Sequence, residues 1–369
     1  APGGDVGAGP TGELAQRARL GEPAAEQSEW LNLYPAADAT AIRRSEGETA
    51  AGDSPRFPAF GAARPARDPL VPPAPVLGWA LSSPILFLRE GARSITLTLG
   101  FTAGSGDLRT AFESLGELAL SCELSTAKGF VSCPIGSLTY GDYATLVPGT
   151  SATGLRGLQL VLSLDETAEA ISTLPSPGAI YDSPYPILRL LLKPIYSIDH
   201  GQFRAPYAEL APLVLAAAQV HVVVSGLRNL SLQNDETRLD AKKPFEPFTS
   251  QPAVGSRLLL GHPEVVGKTL DSLSLSLQWM GAPANPTTYY AIYGLTAATP
   301  FNAQLCMIDR SRTTTLLPAT PLFGSTGSAS VTLSAGPGPA VDSSRAAALL
   351  ANQRGLDADV LNWERYLAL

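Results

Sequence analysis

Apolar and polar residues alternate along several stretches in the middle of the chain. The clearest stretch is residues 272–279, in which every second residue is large and apolar and the residues between are polar. The apolar positions are Leu273, Leu275, Leu277 and Trp279. A period of two places these side chains on one face of a β-strand, so the pattern predicts a strand with one buried and one wet face.

The same alternation predicts more strands and two hairpins. Residues 95–101 form one strand, and residues 85–88 precede it across a turn that contains Gly91. A second hairpin joins residues 117–125 to residues 130–134 through a glycine-containing turn. Further strands are expected at residues 158–164, 219–226 and 258–260.

Helical patterns are fewer and shorter. We expect helices at residues 107–115 and 286–293, and the second begins with a proline suited to a first helical turn. Two more are expected near the end, at residues 345–353 and 357–369. The pattern therefore predicts a mainly β fold with minor α, made of several β-sandwich-like domains joined by extended linkers and followed by C-terminal helices.

The first 75 residues differ from the rest because they are rich in Ala, Gly, Pro and Glu. They predict an extended arm with a short helix at residues 13–20 and an apolar anchor at Trp30, and we expect another chain to order this arm. Since the sequence begins at Ala1, we expect it to be processed or a piece of a longer chain. The predicted domains that follow are residues 76–180 (β-rich), 181–295 (β-rich with short helices) and 296–369 (a β-hairpin plus the C-terminal helices).

Composition limits the classes of partner. The 369 residues are 45% hydrophobic and 16% charged, which is ordinary for a globular chain. The net charge of −7 argues against broad binding of nucleic acid, which needs a basic surface. The longest apolar run, residues 210–224, is interrupted by Gln219 and His221 and is too short to span a bilayer, so no transmembrane segment is expected.

The best catalytic signal is a near miss. Residues 261–269 resemble a phosphate-binding loop that ends in Lys268 and Thr269. That motif requires four residues between its glycines, whereas five separate Gly261 from Gly267. Pro263 also suits a cradle of backbone N–H groups poorly, so nucleotide binding is not expected.

The remaining candidate chemistry is sparse. The three histidines have no His or Cys three or four residues away, so no metal site is expected. We expect His221 to be partly buried and His200 and His262 to lie at the surface. No nucleophile elbow is present. The sequence therefore predicts no catalytic, cofactor-binding or metal-binding residue, and a protein that is not an enzyme.

Three cysteines leave two alternatives open. Cys122 and Cys133 could pair across the second hairpin, or they could be two buried thiols that act as small apolar side chains. The odd count, with Cys306, gives no disulfide framework, and a reducing compartment fits best.

Aromatic residues supply candidate contact surfaces. Tyr289 and Tyr293 share a face of the predicted helix, where they either anchor that helix to a sheet or form a sugar-stacking platform. Phe245 and Phe248 alternate with Pro244 and Pro247 in a stiff loop. That loop either docks on another chain or folds onto its own domain.

Residues 242–279 carry the most informative pattern. They resemble a segment of large baseplate proteins from extracellular contractile injection systems of the antifeeding-prophage and Photorhabdus-virulence-cassette type. That family has "KPFxPFGxxPxVGSxFxIGSxEVFxKxLxSLxLxIxW" at this place. Residues 78–91 with 95–101 resemble its "GFAIASPLLxLxEGxRxxTLTLxF", and residues 125–130 resemble its "STEKGW". Together these segments cover roughly residues 77–295.

The chain departs from the family pattern in two turns. Thr249 and Ser250 stand where the family has Gly and a varied residue. His262 and Pro263 stand where it has Ser and a variable position. These departures affect local geometry more than the resemblance as a whole.

The resemblance implies a structural baseplate wedge subunit of a phage-tail-like particle. It is either the largest wedge subunit, which we favour, or the baseplate J-like wedge partner. The implied partners are other wedge subunits in a six-fold ring with the spike or hub and the sheath, and no cofactor. The implied location is the bacterial cytoplasm during assembly, and then a particle that is released or acts on a target membrane. The alternative function is a carbohydrate-binding β-sandwich module. The candidate interface residues are Phe245, Phe248, Trp30, Tyr289 and Tyr293.

Overall fold

The structure is a computed structural model that describes most of the chain after residue 76. The described ranges are residues 14–20, 32–35 and 57–58 (backbone only), 77–102, 107–114, 117–174, 181, 183–197, 201–204, 210–281, 283–292, 301–309, 312–323, 330–341 and 365–369. Strands dominate these ranges and helices are short, which confirms the predicted mainly β fold with several separate sheets. None of the described helices has the length and apolar character needed to cross a bilayer.

The chain divides into two compact units that are discontinuous in sequence. Unit A comprises residues 17–89 and 94–222, and unit B comprises residues 1–16, 90–93 and 223–369. The predicted domains at residues 76–180, 181–295 and 296–369 are continuous segments. The two units are not, because residues 90–93 separate two parts of unit A and belong to unit B.

Unit A contains two main sheets with buried inner faces. One has the order β10-β11-β5-β15, and the other has the order β2-β4-β12-β8-β9. Their strands are β2 (Asn32–Pro35), β4 (Gly78–Ser82), β5 (Ala92–Thr102), β8 (Leu120–Thr126), β9 (Gly129–Cys133), β10 (Ile135–Asp142), β11 (Arg156–Leu164), β12 (Ile187–Leu192) and β15 (Val214–Ser225). Short elements complete the unit: β3 (Phe57–Pro58), α1 (Leu108–Phe112), β6 (Glu113–Ser114), β7 (Glu117–Leu118), α2 (Tyr143–Leu146), β13 (Ile195–Ser197) and β14 (Gln202–Arg204).

The core of unit A follows the alternation seen in the sequence. Ile95, Leu97, Leu99 and Phe101 of β5 are all buried, as predicted. The ring of Phe101 packs against Phe112 of α1, with centroids 6.3 Å apart. The second predicted hairpin is also confirmed, because β8 and β9 pair antiparallel around a turn at Ala127 and Lys128.

Unit B is built around a six-stranded sheet with the order β17-β16-β18-β23-β20-β21. Its strands are β16 (Ser231–Asn234), β17 (Arg238–Leu239), β18 (Leu258–Gly261), β20 (Asn302–Asp309), β21 (Arg312–Pro321) and β23 (Arg365–Ala368). A second group has the order β1-β19-β22, with β1 (Leu14–Leu20), β19 (Ser272–Gln278) and β22 (Ser330–Ala335). Three strands are divided between the units in sequence, because residues 92–93 of β5 and 223–225 of β15 are assigned to unit B and residues 17–20 of β1 to unit A. The helices of the unit are α3 (Pro263–Val266) and α4 (Pro286–Ala291).

Three local predictions are wrong. The short helix expected at residues 13–20 is strand β1, because its backbone pairs with β19 through Leu14 and Ala15. The strand expected at residues 85–88 is largely a 3-10 helix over Pro84–Leu86, in which Pro84 opens the turn and Ser83 caps it. The end of the helix expected at residues 357–369 is strand β23, which lies between β18 and β20. The helix expected at residues 345–353 lies outside the described residues.

The arm also differs from expectation. Its described strands β1, β2 and β3 pair with β19, β4 and β15 of the same chain. These strands thus pair within the chain, and the expectation that another chain orders the arm stays a prediction for its other residues.

Gly78 offers a test of how closely the strands of unit A approach. It begins β4 with φ of +154°, and a Cβ there would lie 2.1 Å from the carbonyl oxygen of Leu190 on β12. Both the backbone conformation and the contact exclude a side chain. We expect Gly78→Ala to lower the free energy of unfolding by more than about 1 kcal/mol, as measured by denaturant titration. Gly136→Ala, where the nearest atom to a Cβ is 3.4 Å away, is the matched control. Equal stability of the two variants would contradict this close approach.

Candidate functional site

Residues 242–279 lie in unit B and begin as a long loop that is fastened at both ends. The side-chain amide of Asn234 donates to the carbonyl of Glu246 at 3.1 Å. The carboxylate of Asp235 accepts from the backbone N–H of Arg257 at 2.7 Å and from its Nε at 3.0 Å. Because both anchors come from the β16–β17 turn, the loop is folded onto its own unit.

The predicted interface residues have different environments. Phe245 is only 9% exposed and Phe248 is half-buried, so the loop has one of its two aromatic side chains almost enclosed within the chain. Tyr289, on α4, is 38% exposed. Trp30 and Tyr293 lie outside the described residues, so the expected pairing of Tyr289 with Tyr293 stays a prediction.

His262 is buried, with 3% exposure, and the prediction that it lies at the surface is wrong. It is the N-cap of α3, where its Nδ1 accepts the backbone N–H of Glu264 at 3.1 Å. Since Nδ1 acts as the acceptor, the proton of the neutral ring is on Nε2. This Nε2 lies 3.2 Å from Oε1 of Glu90 and donates to it.

Glu90 gathers several donors around one carboxylate. Its Oε1 also accepts the backbone N–H groups of Arg228 at 2.9 Å and Asn229 at 2.8 Å, and its Oε2 accepts from the Asn229 side-chain amide. Burial raises the pKa of Glu90, but the hydrogen bonds from His262, Asn229 and Arg228 outweigh burial and lower the pKa from 4.5 to about 2. The sequence carries no local signal for this site, because Glu90 and its partners are far apart along the chain.

The lowered pKa of Glu90 predicts a contribution to acid stability. A carboxylate whose folded pKa lies below its ordinary value stabilises the fold at pH above about 4.5, and this contribution is lost as the pH falls toward 2. We expect Glu90→Gln to lower the midpoint temperature of unfolding at pH 7 and to make its decline between pH 4.5 and 2 shallower than in the parent chain.

Thermal unfolding followed by circular dichroism at several pH values measures both effects of Glu90→Gln. Glu236→Gln, at an exposed position beside β17, is the control and is expected to leave the profile unchanged. Parallel pH profiles for the parent chain and Glu90→Gln would show that Glu90 does not supply this pH dependence.

A second network is enclosed next to His262. Glu264 and Lys268, four residues apart in sequence, are 1% and 0% exposed and form an ion pair. Arg365 of β23 is also fully buried. Its guanidinium donates to the carbonyls of Lys268 at 2.8 Å and Pro339 at 2.6 Å, and its Nε lies 2.9 Å from Sδ of Met307. Arg365 therefore joins strand β23 to β20 and to Lys268, which lies two residues after α3.

This geometry removes the basis for a phosphate loop at residues 261–269. A phosphate-binding lysine must present its ammonium to a ligand. Lys268 instead keeps its ammonium in the interior beside Glu264. His262 caps a short helix that begins at Pro263, so these residues do not form a cradle. Within the described residues, no group of three or more His, Cys, Asp or Glu side chains could hold a metal ion.

The enclosed ion pair makes a sharp stability prediction. Lys268→Met leaves the Glu264 carboxylate buried without its cation, which we expect to cost about 3–5 kcal/mol in the free energy of unfolding. The double variant Glu264→Leu with Lys268→Met removes both charges and is expected to recover most of that loss. Denaturant titration of the single and double variants measures the difference. If the double variant is as unstable as Lys268→Met alone, the loss reflects packing rather than an uncompensated charge.

No protein-family model matches the chain, and no curated protein is significantly similar to it.

Proposed function

We propose that this chain is a structural wedge subunit in the baseplate of a phage-tail-like contractile injection system. In this role it is a scaffold that contacts other wedge subunits in a six-fold ring, with the spike or hub and the sheath as neighbours. The observation that carries the proposal is that positions of the family-like pattern coincide with structural requirements of this backbone, including positions where the residue itself departs from the pattern.

Thr249 is the first such position. It has φ of +68°, the left-handed conformation that glycine adopts readily and β-branched residues avoid. The family pattern has Gly at this place. Of the described non-glycine residues, Thr249 alone has a positive φ. The family pattern thus has glycine where this backbone favours one, which supports the resemblance.

His262 is the second position. The family pattern has Ser there, and Ser is among the preferred N-cap residues because its oxygen accepts a backbone N–H of the first helical turn. His262 occupies the N-cap of α3 and accepts the Glu264 N–H through its imidazole nitrogen. The residue type differs, but the position keeps the function of a cap.

Several residues that match the pattern are used for packing. Glu264, Lys268 and Leu270 are all buried, and so is Trp279. The indole N–H of Trp279 donates to the carbonyl of Leu322 at 2.7 Å, and its ring lies 4.9 Å from that of Phe323. Enclosed side chains of this kind specify a rigid scaffold, as expected for a subunit whose task is assembly.

Exposed apolar side chains in unit B offer contact area for neighbouring subunits. Val254 is fully exposed in the fastened loop, directly after the Pro252-Ala253 step and before Gly255. Ile292 at the end of α4 is 81% exposed, and Met280 is 54% exposed. Apolar groups on a loop that is already held in place lose little entropy on docking, so they contribute efficiently to binding. Val254 lies in the same loop as Phe245 and Phe248, which the sequence analysis proposes as interface residues.

The assembly proposal is tested on intact particles. We expect cryo-electron microscopy of particles isolated from the producing bacterium to show this chain in the baseplate.

Val254→Asp is expected to reduce incorporation of the chain into particles severalfold while the purified chain keeps its circular dichroism spectrum. Val131→Asp, at a 42% exposed position in unit A, is a matched control for adding a charge at an exposed valine. Absence of the chain from the baseplate would overturn the proposal. Binding on a glycan array that is lost in Tyr289→Ala would instead favour the carbohydrate-binding module.

Thr249 supplies a separate test of the backbone argument. Thr249→Gly is expected to raise the free energy of unfolding by about 1 kcal/mol, because a left-handed conformation costs an L-residue roughly 1–2 kcal/mol and glycine loses part of that gain through its freer unfolded chain. Thr249→Ala keeps a Cβ and is expected to recover much less. Denaturant titration compares the three chains, and a Thr249→Gly variant less stable than the parent would show that the Thr side chain itself is needed.

A further inference from the structure

Cys122 and Cys133 face each other across the β8–β9 hairpin of unit A. The antiparallel register places them directly opposite, four steps from the turn. Opposite residues of an antiparallel pair have Cα atoms about 4.5–5.5 Å apart and side chains on the same face. Disulfides span Cα distances of about 4.4–6.8 Å. The register therefore holds the two cysteines within bridging distance.

Both cysteines are thiols in this structure, and both are buried, with 1% and 3% exposure. Cys306, the third cysteine, lies on β20 in the other unit and is only partly buried. The sequence left open whether Cys122 and Cys133 pair. Their shared face and direct register favour each other as partners over Cys306.

The position of β9 in its sheet gives the buried pair a route to solvent. β9 is the edge strand of the order β2-β4-β12-β8-β9. Val131, two residues before Cys133, is 42% exposed, and Ser132 is exposed as well. Edge strands open locally at lower cost than central strands, so opening of β9 exposes the Cys133 sulfur first.

We propose that Cys122 and Cys133 are a latent cross-strand disulfide that closes when the protein meets a low-molecular-weight disulfide oxidant, and that closure fixes edge strand β9 to β8. In the first step the Cys133 thiol loses its proton to solvent, and its sulfur attacks one sulfur of oxidised glutathione. A mixed disulfide forms and one glutathione thiolate leaves. In the second step the Cys122 thiolate attacks the Cys133 sulfur, the second glutathione leaves, and the protein has lost two hydrogens.

The environment of Cys122 determines how fast the disulfide closes. Burial raises the pKa of the Cys122 thiol, and the neighbouring Cys133 and Glu123 raise it further. The thiolate is the attacking species, so a raised pKa makes closure slow at neutral pH and faster as the pH rises. The pair thus stays reduced in a reducing compartment and closes after longer exposure to an oxidising one.

The sequence between the two cysteines makes the test direct. Lys128 lies in the turn, so trypsin separates Cys122 and Cys133 into peptides 110–128 and 129–156. The folded full-length chain is incubated with oxidised glutathione, quenched with iodoacetamide, unfolded and digested without reductant. We expect mass spectrometry to show these two peptides joined, and to show them separate after treatment with dithiothreitol.

Two comparisons show whether the fold directs the pairing. The same oxidation in denaturant is expected to yield a mixture of all three cysteine pairings, whereas the folded chain yields the Cys122–Cys133 link almost alone. Cys133→Ser is expected to abolish the link, and Cys306→Ser is expected to leave it unchanged. A link no more frequent in the folded chain than in the unfolded chain would overturn the proposal, as would a stable glutathione adduct at Cys133 or a link to Cys306.

The proposed stapling of β9 has its own readout. Hydrogen exchange of the backbone amides of Phe130, Val131 and Ser132 is expected to slow several-fold in the oxidised chain relative to the reduced chain. Peptides from β21, an edge strand with no cysteine, are the internal control. If β9 exchanges equally in both forms, the disulfide forms without fixing the edge strand and the stapling part of the proposal is wrong.

Discussion

Unit B depends on satisfying one buried guanidinium. Arg365 belongs to the C-terminal strand, which lies in the middle of a sheet rather than at its edge. Its donors meet the carbonyls of Lys268 and Pro339. A buried arginine without such acceptors would cost several kcal/mol, so the strand, the end of the α3 segment and the chain near residue 339 fix one another's positions. The ion pair of Lys268 with Glu264 extends the same network into α3.

A second constraint acts through Glu90, at the turn that precedes β5. One carboxylate collects the imidazole of His262 and two consecutive backbone N–H groups after β15. His262 uses its other ring nitrogen to cap α3. The short stretch of residues 90–93 is thereby tied into unit B although the residues on both sides of it belong to unit A. Each polar group in this set satisfies another, which is the condition for enclosing charges in a protein interior.

The two networks bear on function because they contain the residues of the sequence that most resemble a catalytic or binding site. Lysine, glutamate and histidine at 261–269 would be candidates for a nucleotide or metal site if they were open to solvent. They are enclosed, and their partners are other groups of the chain. What unit B leaves open is a different kind of surface, made of single apolar side chains such as Val254 and Ile292. Exposed apolar side chains of this kind offer contact area to other molecules.

The sequence by itself determined which stretches are strands with a buried face. Alternation placed β5, β11 and β19 correctly, and the turn residues placed the β8–β9 hairpin. Such signals are local, since a period of two depends only on residues that are neighbours in the chain.

Only the tertiary structure decided which strands pair and which buried polar groups meet. Residues 14–20 have a helical composition but form a strand, because they pair with β19. The last residues form β23 because they pair with β18 on one side and β20 on the other. The burial of His262 and the positions of Glu90 and Arg365 depend on contacts across 97 to 172 residues. Strand pairing and polar satisfaction at that separation leave no periodic trace in the sequence, because the energy that selects them comes from groups that meet only after folding.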